Sequence, residues 1–130
     1  MNNHPSQHQL IVARDLETTI GASQTASKGR WYGAFDVLLW LNTLTMFPKE
    51  LRLELHYEDD KGAHELLVDR CSFSKNPLLL LSNRLSVGFV GKVSRASLVI
   101  CSDAPYKVNV LESKLAPASV SADQYLKKAA

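Results

Sequence analysis

Between Leu51 and Arg70 the chain alternates strictly at first. Leu51, Leu53, Leu55 and Tyr57 fall on one side, and Arg52, Glu54, His56 and Glu58 on the other. A period of two puts successive side chains on opposite faces of a strand, one against a core and one in water. Asp59-Asp60-Lys61-Gly62 follows with turn chemistry, because aspartate bonds to nearby backbone and glycine accepts a positive φ. A loop at 59–62 therefore predicts a β-hairpin that pairs Glu58 with Ala63, Leu55 with Leu66 and Leu53 with Val68. On the outer face the same register sets His56 against Glu65 and Arg52 against Asp69. Each such pair contributes roughly 0.2–1 kcal/mol. A slip of one residue would turn every side chain to the wrong face.

Leu10 to Ala13 is a short apolar run that predicts an edge strand, and Asp15 to Ile20 fits either its extension or a helical turn. Gly21 to Gly29 is small and polar, which predicts a mobile loop. Trp31 to Leu44 is apolar on nearly every side. As a strand it places Phe35, Val37, Leu39 and Leu41 on one face and Leu38 and Trp40 on the other. Its aromatic and β-branched content favours that over a helix. Leu78 to Leu81 is another apolar run, closed by Ser82-Asn83-Arg84. Ser86 to Ser102 fits one long bent strand or two short ones, with a bulge or bend at Gly88 and Gly91. Tyr106, Val108 and Val110 alternate with Lys107 and Asn109 as a half-buried strand. Beyond Ala116-Pro117-Ala118, the Ser121-x-x-Gln124 spacing of a capping box predicts a short helix.

Short strands divided by turn signals predict an all-β, mainly antiparallel fold. The expected form is a two-layer β-sandwich of about six to eight strands with a short C-terminal helix. The whole chain, 1–130, reads as a single domain: a frayed terminus at 1–9, a β core at 10–115, and a tail at 116–130 that carries the helix.

Composition changes this picture little. Apolar residues make up 45% and charged residues 22%, ordinary for a folded domain and unlike a disordered one. A net charge of +2 is far from the basic excess of a dedicated nucleic-acid binder. The N-terminus lacks the charged and apolar regions of a secretory signal, and no apolar run approaches the roughly 18 residues that span a bilayer. A cytoplasmic protein with no membrane partner is expected, with Cys71 and Cys101 as reduced thiols.

Candidate chemistry is thin. No metal site and no cofactor is expected, since the hairpin register puts His56 and His64 on opposite faces, with His56 as the solvent-side partner of Glu65. Gly88-Phe89-Val90-Gly91-Lys92 lacks the spacing and the Ser or Thr of a phosphate loop. No nucleophile elbow or carboxylate pair points to catalysis, and the chain reads as a non-enzyme. Two binding readings remain. In the first, a protein-interaction module, with a homodimer as one of its forms, uses the apolar side chains left over by a two-layer fold: Leu38, Trp40, Leu79 and Leu81. In the second, an anionic small molecule binds between Trp31 and Tyr32, beside the Gly21–Gly29 loop, and the basic pair Lys92 and Arg95.

Overall fold

The computed structural model describes residues 8–22, 25–44, 50–72 and 77–118. They form eight strands and one short helix: β1 (His8–Ala13), α1 (Glu17–Ala22), β2 (Thr25–Ser27), β3 (Arg30–Thr43), β4 (Glu50–Asp59), β5 (Gly62–Ser72), β6 (Leu78–Val90), β7 (Arg95–Ser102) and β8 (Val108–Pro117). The strands are antiparallel and make two sheets. One has the order β1-β7-β4-β5; the other is built on β3, with β6 along one side and β2 and β8 in succession along the other. A sandwich fits this arrangement, for one apolar cluster draws side chains from both sheets. Phe35, Val37, Leu39, Leu41, Leu81, Val87 and Phe89 come from one, and Leu51, Leu53, Leu55, Leu98 and Ile100 from the other. β4, β5 and β6 follow one another, and β7 returns to pair with β4, which is a Greek-key order.

The hairpin forms as its alternation predicts, with Leu51, Leu53 and Leu55 fully buried. Glu58 faces Ala63, Leu55 faces Leu66 and His56 faces Glu65. The turn is tighter than expected, since Asp59 and Gly62 pair as well. Two expected pairs are corrected. A register shift between Leu53 and Glu54 sets Glu54 against Leu67 and Leu53 against Asp69, so Val68 is the extra residue of a bulge and Arg52 faces Arg70. A bulge disrupts the ladder locally, and here the residues at the bulge bond to β6. The Asp69 carboxylate accepts from the Ser82 backbone N–H, and Asn83 Nδ2 donates to Val68 O at 2.8 Å. One backbone group of each strand, the Val68 carbonyl of β5 and the Ser82 N–H of β6, is thereby satisfied by a side chain of the other sheet.

Residues 30–43 are a strand, with Phe35, Val37, Leu39 and Leu41 inward. Leu10 to Ala13 lies in the edge strand β1, and of the two forms open to Asp15 to Ile20 the helical turn is found, as α1 from Glu17 to Ala22 with Ile20 buried in the core. Four turn or break expectations are corrected. Ser82-Asn83-Arg84 does not end a strand, and β6 runs through them and through Gly88 with no register shift against β3. Gly88 instead marks a close approach, for a Cβ there would lie 3.2 Å from the Tyr32 ring. Within the expected loop at 21–29, Thr25–Ser27 pairs with Arg30–Tyr32 around Lys28 and Gly29, both at positive φ. Ala116 and Pro117 remain in β8, opposite Asp36 and Phe35, where an edge position tolerates a proline. The expected C-terminal helix at 121–128 lies outside the described residues.

Candidate functional site

The central strand β3 settles which apolar residues face outward. Its odd positions from Phe35 to Leu41 fill the core, so its even positions, Tyr32 to Asn42, face away from it. Residues directly opposite on antiparallel strands share a face. Trp40 is opposite Leu80, Asn42 opposite Leu78, Leu38 opposite Ser82 and Asp36 opposite Arg84. On the β8 side the same face carries Lys114 opposite Leu38 and Glu112 opposite Trp40. Leu80 is 43% exposed and Leu78 46%. A register shift beside Trp40 leaves Leu111 out of step and 54% exposed. This end of the sheet is therefore apolar, and charges border it: Arg84 Nε lies 2.8 Å from Asp36 Oδ1, with Glu112 and Lys114 across β3.

The expected interface set needs a correction on this point. Leu38 and Trp40 are half-buried on the outer face, but Leu79 and Leu81 point into the core. Four consecutive leucines carry no alternation of their own, so only pairing with β3 decides which two face outward. They are Leu78 and Leu80.

The four residues expected to hold an anion are spread over three clefts. Trp31 packs against the core and lines a cleft of about 480 Å³ together with Lys92, Glu17 and Phe89. Tyr32, its neighbour on the strand, points the opposite way and lines another with Arg30, Lys61 and His64. Arg95 is exposed, stands 4.0 Å from Glu58, and lines a third of about 300 Å³ with His56, Gln9 and Val99.

A polar cluster on the outer face of the other sheet was not anticipated. Glu54 Oε1 lies 2.8 Å from His56 Nε2 and accepts from the Cys101 thiol at 3.5 Å, while Arg52 Nε donates to Glu54 Oε2 at 3.4 Å. The expected solvent-side partner of His56, Glu65, is its register neighbour, but the imidazole bonds Glu54 instead. Period two places Glu54 and His56 on one face; Cys101 joins them because β7 pairs with β4 and sets it opposite Arg52. Burial pushes the Glu54 carboxyl up, yet hydrogen bonds from His56, Cys101 and Arg52 outweigh this and hold it below the usual range. Burial, reinforced by the Glu54 charge, pushes the Cys101 thiol up to about 12. A thiol held protonated is a poor nucleophile. Cys71 and Cys101 are both free.

Comparison with known proteins found no matching family model, curated protein or solved structure. No helix among the described residues is long and apolar enough to cross a membrane.

Proposed function

We propose that this chain is a non-enzymatic protein-interaction module, a two-layer β-sandwich that pairs with a second copy of itself through the outer face of the sheet built on β3. The observation that carries the reading is the outward placement of Leu38, Trp40, Leu78 and Leu80 in one block around the opposite pair Trp40–Leu80. A sheet needs only one apolar face to build a sandwich. Apolar residues on its second face repay burial at about 25 cal/mol per Å² only when something covers them.

A second copy suits this face because its border carries both signs of charge, with Asp36 and Glu112 alongside Arg84 and Lys114. A two-fold axis sets a patch against itself, and a border of mixed sign, with Asp36 and Arg84 already paired within each copy, does not repel its own image as a border of one sign would. Free Cys71 and Cys101 accord with a reducing, cytoplasmic setting. Sedimentation velocity at micromolar concentration tests the reading. A dimer that becomes a monomer in Leu80→Arg, with unchanged thermal unfolding, is the expected result; a wild-type monomer at every concentration overturns it.

A further inference from the structure

We propose that Glu54, His56 and Cys101 form a binding site for a zinc-type divalent metal ion on the outer face of the β1-β7-β4-β5 sheet. This site is on the sheet opposite the proposed dimer face and does not depend on that reading. It also departs from the expectation that the chain has no metal site.

Three donor atoms of three kinds converge there. Glu54 Oε1, His56 Nε2 and Cys101 Sγ all lie within 4.8 Å of one another. Zinc binds thiolate at about 2.3 Å, imidazole at about 2.0–2.1 Å and carboxylate at about 2.0–2.2 Å in tetrahedral geometry. Those lengths place neighbouring donors about 3.3–3.6 Å apart. The Cys101–Glu54 contact, at 3.5 Å, already has that spacing; the Glu54–His56 contact, at 2.8 Å, opens by about half an ångström, and His56 Nε2 and Cys101 Sγ, within 4.8 Å of each other, settle at the same spacing by a turn of the imidazole. Three protein ligands leave a fourth position for water, as in open zinc sites.

The surroundings suit an ion. Cys101 and the neighbouring Val99 are buried even though they belong to the outer side of β7, so the sulfur donor is shielded from bulk water. Of the three ligands, His56 also lines a cleft, together with Gln9, Ser97 and Val99. Arg52 holds the second Glu54 oxygen and is itself flanked by Glu50 at 3.6 Å and Asp103 at 4.0 Å. Such an outer contact orients a ligating carboxylate while leaving its other oxygen to the metal. On binding, the Cys101 S–H bond breaks and its proton goes to solvent. The sulfur electron pair passes to the metal, and His56 binds as neutral imidazole through Nε2. One thiolate and one carboxylate balance the two charges of the ion.

The test is titration of the full, reduced, chelator-treated chain with Co²⁺, followed by displacement with Zn²⁺. The expected result is a thiolate-to-cobalt charge-transfer band that saturates near one ion per chain and disappears on adding Zn²⁺. It should survive Cys71→Ser, vanish in Cys101→Ser, and require about tenfold more metal or above in His56→Gln. No band in the wild type, or a band that persists in Cys101→Ser or is lost in Cys71→Ser, overturns the proposal. Should Cys101→Ser fail to fold, the less buried His56 decides the matter: unchanged affinity in His56→Gln overturns the site as well.

Discussion

Asp59 ends β4, and its side chain is almost wholly enclosed at 2% exposure. It accepts from the backbone N–H of Lys61 at 2.8 Å and of Val90 at 2.9 Å, and its Oδ1 lies 2.9 Å from His64 Nε2. One carboxylate thus fixes the hairpin turn and ties it to the end of β6. Replacing Asp59 with alanine strands those donors, and chemical denaturation should show a loss of about 2–3 kcal/mol. Burial pushes this carboxyl up, but the bonds from Val90, His64 and Lys61 outweigh it, and the net shift is downward from 3.8. A depressed carboxyl contributes stability that is full above the ordinary value and fades as pH falls through the folded one. Acid unfolding of Asp59→Asn should therefore lack part of the steepness seen in the wild type below about pH 4. Gly91 is the other residue whose identity the structure demands. Its φ is +73°, and a Cβ would collide with the Asp60 side chain. Gly91→Ala should lower the thermal midpoint by several degrees, equivalent to about 1–3 kcal/mol.

Among elements, β6 offers the sharpest contrast. Leu79 is buried at 8% exposure and Leu80, its neighbour, is 43% exposed. Truncating Leu79 to alanine should cost about 2–4 kcal/mol in urea unfolding. The same change at Leu80 should stay within about 0.5 kcal/mol for the monomer. Equal losses at both positions would mean that β6 is buried on both faces. How much of an element was legible in advance depended on alternation. β4 alternates, and its inward set was readable residue by residue. Leu78 to Leu81 does not, so the core pair and the outward pair were exchangeable until β3 was placed beside them. The bulge at Val68 left no trace either, because it answers to β6, an element of the other sheet, through Asp69 and Asn83.

Across the whole molecule, the two sheets turn unlike outer faces to the surroundings. The sheet built on β3 presents Leu38, Trp40, Leu78 and Leu80; the other presents Arg52, Glu54 and His56, with Leu67 and Ile11 among them. Self-association through the first face should weaken little with added salt, since apolar burial dominates it and its charges stay at the border. Sedimentation in low and high salt checks this, and strong dissociation in salt would move the contact to the charged sheet. The period-two pattern and the Asp59–Gly62 turn chemistry by themselves determined that the chain is β-rich, that Leu51, Leu53 and Leu55 point inward and that the chain reverses between Glu58 and Ala63. Each of these follows from interactions between residues close in sequence. Tertiary structure alone decided the sheet order, the outward pair in β6 and the meeting of Cys101 with Glu54 and His56. Those depend on which distant strands lie side by side, and a local pattern carries no record of its neighbour across the sheet.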